Sequence, residues 1–228
     1  MLARAALWVS AAAIVISLLF GVLQTYGVGL TALPPPADDA SQRILDRFLF
    51  AEESYWLWGR WNDLAAGMGY GVLLIAVPAL SAQAVVRVVL AAGTTLAVAG
   101  EAIDLSALAG LEVARVGLDS GLTEVFAAAN IFRFAIGTTS TFVGISGLFL
   151  LAIGFILLGA EAVEVRARLL SLVVAAALVA RGILGPFGGS PAWDVASSAA
   201  STVFVVAFVA WVIVTAPKVG RAGTTSSA

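Results

Sequence analysis

Residues 134 to 160, FAIGTTSTFVGISGLFLLAIGFILLGA, contain no ionisable side chain. As a helix rising about 1.5 Å per residue this run is roughly 40 Å long, against a hydrocarbon core of about 30 Å. It reads as a membrane span. The rest of the chain has the composition that goes with such a segment: of 228 residues, 61% are hydrophobic and 11% charged, which excludes a soluble domain of this length. With spans of about 20 residues each, there is room for six helices and one long loop in a single compact membrane domain. The fold class expected is therefore all-α and polytopic.

Composition also removes whole classes of chemistry. Histidine and cysteine are both absent. Without them there are no disulfides, no thiolate nucleophiles, no zinc sites of ordinary type, no His-ligated haem and no His-based proton relay. The net charge of -2 gives no basis for nucleic-acid binding. No cofactor and no metal site is expected. The bias toward Ala, Val, Gly and Arg is that of a GC-rich prokaryotic genome, so a bacterial inner-membrane protein is expected.

Six spans are read at about 5–27, 64–83, 85–108, 137–160, 167–184 and 194–216, within a domain covering 1–216. The first, apolar from Leu7 to Leu23, is longer than the core of a secretion signal and lacks a clear Ala-x-Ala cleavage site, so it is read as retained. Between it and the second lies a polar segment, 31–62, that opens on Pro34-Pro35-Pro36. Its second half repeats Ile44, Leu45, Phe48, Leu49 and Trp56 at helix spacing. With Trp56, Trp58 and Trp61 it reads as an amphipathic helix on the membrane surface, since indole rings favour the headgroup level. Gly67-x-x-x-Gly71 in the second span permits close helix approach. A polar connection, 111–124, follows span three. From Phe126 to Ala160 one straight helix would be about 52 Å, too long for one crossing, so a bend near Gly137-Thr138-Thr139-Ser140-Thr141 is expected. Residues 217–228 form a tail.

Six spans put Arg4, Arg87, Arg166, Arg168, Lys218 and Arg221 on one side with Glu161 and Glu164. The other side receives six Arg and twelve carboxylates. Basic residues in short loops mark the cytoplasmic side, and Arg166 and Arg168 weigh most. Both termini are expected in the cytoplasm, with the long loop outside.

Polar residues are then uneven in depth. Glu101 lies about 24 Å along span three and Asp104 about 29 Å, one helical turn apart on one face. Arg181 lies about 18 Å along span five, at a similar level. Span six presents Asp194, Ser197, Ser198 and Ser201 as one stripe in its outer half. Gln24, Thr25, Tyr26, Tyr70 and Thr138 to Thr141 belong to that half too, while the inner half reads as apolar. A charge at bilayer depth costs at least about 2.5 to 3.5 kcal/mol unless paired or wetted. An ion pair between Glu101 and Arg181 is expected, beside an outward polar pocket formed by Glu101, Asp104, Arg181, Asp194, Ser197, Ser198 and Ser201.

Gly144-Ile145-Ser146-Gly147 resembles the Gly-x-Ser-Gly of rhomboid intramembrane proteases, which place their nucleophile on the fourth of six spans. That chemistry needs a histidine to activate the serine, and this chain has none. Small residues for helix packing are the expected role. The order of one span, a long loop, a hairpin of two spans, a second loop and three spans is similar to a family of uncharacterised six-span bacterial membrane proteins, which implies architecture alone. The function expected is a non-enzymatic ligand-binding or accessory protein, with the lipid bilayer as its surroundings and small-residue faces available to a protein partner or a second copy. The alternatives are a small-solute transporter, disfavoured by the apolar inner half, and a membrane enzyme using outer carboxylates as acid and base or as ligands of a hard cation.

Overall fold

The computed structural model describes residues 1–26, 53–184 and 191–219. Six helices are long and apolar enough to cross a membrane, and among the described residues there is no strand. They are α1 (Leu2–Thr25), α2 (Arg60–Leu80), α3 (Ala84–Asp119), α4 (Thr123–Glu161), α5 (Val165–Leu184) and α6 (Pro191–Thr215). A π-helical turn, Tyr55–Gly59, runs straight into α2. The protein is an all-α, multi-pass membrane protein.

Each helix packs against the next in sequence, and α6 returns to α1, so the six form a closed ring. Met1, the α2–α3 turn at residues 81–83, the α4–α5 turn at 162–164 and Lys218 lie at one end, called here the terminal face. The opposite end carries the long connection 27–52 and is called the loop face. The outer surface is apolar, with Phe142 69% and Val206 64% exposed, as suits helices bathed in lipid chains. Inside the ring, Phe155 meets Trp211 edge-on at 5.0 Å between centroids, and Phe204 stacks on Phe208 at 5.7 Å. Lipid tails are as apolar as a leucine side chain, so these helices associate through close packing and hydrogen bonds rather than by escape from water.

Close packing is clearest between α3 and α4. A Cβ on Gly147 would lie 2.5 Å from the Ala97 nitrogen, one on Gly93 2.6 Å from the Leu151 nitrogen, and one on Gly100 2.8 Å from the Gly144 Cα. Backbone meets backbone along this seam, and no larger residue fits. Ser140 adds a hydrogen bond across it, donating to the Gly100 carbonyl at 2.9 Å. Within the Gly-x-Ser-Gly stretch it is Gly147 that must stay small, whereas a Cβ on Gly144 would meet nothing within 4 Å. The Ser146 hydroxyl donates to the Phe142 carbonyl of its own helix at 2.9 Å. In α2 the tightest approach falls not at Gly67 or Gly71 but at Gly69, where a Cβ would lie 2.8 Å from Ile14 and where Ser10 donates to the carbonyl at 2.8 Å.

At the step where a bend is expected the helix is not interrupted: α4 is continuous for 39 residues. Thr138, Thr139 and Thr141 each bond the carbonyl four residues back, satisfying their hydroxyls without opening the helix. The expected loop 111–124 is instead the end of α3, a tight turn and the start of α4. Leu111 and Ala114 are fully buried and a Cβ on Gly117 would touch the Phe126 nitrogen at 2.8 Å, so packing within the pair overrides local polarity. The turn is a Schellman motif. Gly121 has φ +67°, and the Leu122 N–H donates to the Gly117 carbonyl at 2.7 Å. Because α3 begins and α4 ends at the terminal face, beside shorter neighbours, their surplus length, about 15 to 30 Å, projects from the loop face.

Residues 31–52 of the expected surface helix and 220–228 of the tail lie outside the described residues. Residues 55–62 are helical and continuous with the second candidate span. They extend the second span back to Tyr55, and the expected tryptophan cluster packs on α1, with Phe20 6.1 Å from Trp58 and 6.5 Å from Trp61.

Candidate functional site

The polar residues near the loop face fall into two groups on either side of α2. The first begins with Tyr55 and Asp63. In a π turn the N–H of residue i+5 bonds the carbonyl of residue i, here Arg60 to Tyr55, which inserts one extra residue into the helix. Eight positions across that turn therefore project like about seven in a regular α-helix, within about 20° of the same face. Tyr55 and Asp63 are brought into line. The Tyr55 hydroxyl donates to Asp63 Oδ2 at 2.7 Å and also lies 3.2 Å from the Asp104 carbonyl oxygen.

Asp63 is 6% exposed. Its other oxygen, Oδ1, accepts from Asn62 Nδ2 at 3.3 Å, and Asn62 Oδ1 in turn accepts from the Ser17 hydroxyl at 2.8 Å. Ser17 on α1, Asn62 and Asp63 on α2, and Tyr55 beside α3 thus form one hydrogen-bonded chain across three helices. Glu101 stands alongside, its Cβ 3.5 Å from where a Cβ on Gly67 would be. Glu101 is within electrostatic reach of Asp63, Asp104 and Arg181.

The second group lines a cavity of about 380 Å³ between α1, α2 and α6. Ser197, Ser198, Ser201 and Thr202 form one wall, with Gln24 and Asn62 opposite. Among the described residues this lining holds no carboxylate, ammonium or guanidinium. Asn62 belongs to both groups and joins them.

Of the residues expected in one pocket, the three serines come together. Asp194 falls in the first turn of α6, with its side chain outside the described residues. Glu101 and Asp104 lie together on the far side of α2, against Tyr55 and Asp63. Arg181 belongs to neither. Its Nη1 donates to the Tyr70 hydroxyl at 3.1 Å, and its guanidinium carbon sits 5.2 Å from the Phe204 ring centroid. The expected ion pair between Glu101 and Arg181 does not form. Ion pairs join Arg115 with Asp119 and Lys218 with Glu164. Tyr70 is 3% exposed, and the cation–π contact with Phe204 holds the planar cation beside its hydroxyl.

Tyr55, Asn62, Asp63 and Ser17 were not singled out from the sequence. Asn62 and Asp63 stand at the edge of an apolar run, where such residues ordinarily mark a loop or cap. Tyr55 is aligned with Asp63 by a π turn, which has no sequence signature here. Among the described residues, no three of Asp, Glu, His or Cys converge as metal ligands. At the terminal face Ser81, Ser171, Glu161, Glu164 and Lys218 meet at a second cavity. Comparison with protein-family models, with curated proteins and with solved structures gives no match.

Proposed function

We propose that the protein is a non-enzymatic ligand-binding protein of a prokaryotic plasma membrane that takes a small, uncharged, hydrogen-bonding molecule at its loop face. The support for this reading is the cavity of about 380 Å³ and the uncharged character of the described residues that line it. A cavity of that size suits a drug-sized or smaller molecule. Hydroxyls and amides accept and donate but supply no charge to balance an ion. Asn62 is held by Ser17 and Asp63, and an amide has four hydrogen-bonding positions, so a fixed donor and a fixed acceptor remain for a guest. In the proposed orientation both termini are cytoplasmic and the loop face is outside, because Arg166 and Arg168 flank the short α4–α5 turn.

Binding is favoured over passage across the membrane. Below the cavity, the packed rings of Phe155, Phe204 and Phe208 surround a void of only about 10 Å³. Native mass spectrometry of protein released from mild detergent tests the proposal. A small neutral adduct is expected on the wild type and is expected to disappear in Ser201→Leu, which fills the cavity. A wild type free of adducts, or an adduct that persists in the filled variant, would end this reading.

A further inference from the structure

The loop-face cavity is not closed on the side where α1 meets α6. On α6, Val195, Ala199, Thr202 and Val206 are exposed and recur at the spacing of one helix face, which is turned to lipid. Two members of that stripe, Ala199 and Thr202, also line the cavity. On α1 the same double position is held by Val22, exposed one turn from the exposed Leu19. Lipid-facing residues thus form a rim on both helices, and the cavity opens sideways into the bilayer. One level down the gap is shut, where Ile14 of α1 and Phe204 of α6 line a void of only about 10 Å³.

Depth sharpens the consequence. Helix α6 has 25 residues, about 37 Å, against a hydrocarbon layer of about 30 Å. Centred on that layer, it carries Ser197, Ser198 and Ser201 about 5 to 11 Å inside the hydrocarbon boundary of the loop-face leaflet. A hydroxyl without a partner is costly there.

Elsewhere the bundle avoids that cost. Thr138, Thr139, Thr141, Ser146 and Thr202 each donate to the carbonyl four residues back on their own helix. Ser197, Ser198 and Ser201 do not, and among the described residues their hydroxyls have no partner. Nor are their oxygens enclosed, since all three residues are half-buried and line the cavity. Three accessible hydroxyls stand at hydrocarbon depth beside an opening to lipid.

We propose that the guest of this cavity is an uncharged lipid of the acylglycerol class, which enters sideways between α1 and α6. Its free hydroxyls bond the three serines, and its acyl chain runs down the exposed stripe of α6 past Val206. This rests on the reading of the cavity as a neutral binding site and adds the class of ligand and its route. Among the described residues the lining offers no cation to a phospholipid phosphate and no anion to an ammonium head. A hydroxyl head supplies both a donor and an acceptor to each serine. A free polyol has the same groups, yet nothing to cover the apolar rim.

The test uses the full chain in phosphatidylcholine nanodiscs with a monoacylglycerol that carries a diazirine in its acyl chain. Photolabelling is mapped by mass spectrometry of peptides. Saturable labelling confined to α1 and α6 is expected, displaced by unlabelled monooleoylglycerol. Lysophosphatidic acid, of the same chain with a phosphate on its head, is expected not to displace it, and neither is glycerol in large excess. Ser197→Ala, Ser198→Ala and Ser201→Ala together are expected to weaken labelling about tenfold or more, because three hydrogen bonds are lost. The proposal is overturned by labelling that does not saturate, by equal displacement with lysophosphatidic acid, or by a folded triple variant labelled like the wild type. The displacement arms need no variant. Displacement by glycerol alone would overturn the lipid and its route while the neutral site stands, and so would a Ser201→Leu-sensitive small adduct on protein that the lipid never labels. Absence of both label and adduct would remove the neutral site as well.

Discussion

Asp63 is a carboxylate-bearing side chain 6% exposed inside a lipid-facing bundle, and it is tolerated there because both of its oxygens accept hydrogen bonds. Insertion scales set about 2.5 to 3.5 kcal/mol against such a group at mid-membrane depth, and partners are what lower that cost. Tyr55→Phe removes the shorter of the two bonds and nothing else of the ring. It is expected to destabilise the protein by about 1 to 3 kcal/mol, because it leaves a buried oxygen unsatisfied. In an Asp63→Leu background the same change is expected to cost much less, since the partner is already gone. Reversible unfolding in mixed micelles measures both. A Tyr55→Phe effect below about 0.5 kcal/mol, the range of ordinary surface changes, would show that the hydroxyl carries no weight there.

Helix α4 shows how one element can hold glycines with opposite duties. A Cβ at Gly147 would press into the backbone of α3 at 2.5 Å, whereas a Cβ at Gly137 would have nothing within 4 Å. Gly147→Ala is therefore expected to force α3 and α4 apart, with a loss of about 1 to 3 kcal/mol typical of overpacking. Gly137→Ala is expected to stabilise by about 0.4 to 1 kcal/mol, because the helix interior accepts alanine and the unfolded chain loses freedom. Thermal unfolding in one detergent ranks the two variants against the wild type. The reverse order would mean that the α3–α4 seam is not the tight contact of this bundle. Sequence reading found the small residues of α4 and gave them a packing role, yet it placed a bend at the Gly137 step, because a helix of 39 residues exceeds what one crossing needs. The excess is taken up beside α3, which is itself 36 residues long, so neither helix has to break.

For the molecule as a whole, the ring of alternating helices places Met1 and Lys218 at the same end as the turns 81–83 and 162–164. The chain contains no cysteine, so single introduced thiols report orientation without background. In intact spheroplasts, Ser120→Cys at the tip of the α3–α4 hairpin is expected to react with a membrane-impermeant maleimide. Val163→Cys, 96% exposed in the α4–α5 turn, is expected to react after lysis alone. The opposite pattern would invert the proposed orientation and place the neutral cavity on the cytoplasmic side. The bundle would stay the same, and the terminal-face cavity would face outward.

The sequence by itself determined the class, the number of crossings and their approximate places. These depend on run length and apolarity, which are local properties set against a fixed bilayer thickness. It also brought the serine stripe of α6 to light, because spacing along one helix is local too. Only the tertiary structure decided which polar groups face one another. Arg181 meets Tyr70 rather than Glu101, and the serines and the carboxylates lie on opposite sides of α2. Those outcomes depend on the rotation of each helix about its own axis. Rotation is fixed by glycine contacts such as Gly69 on Ile14 and by the single extra residue of the π turn, and neither is visible until the neighbouring helix is in place.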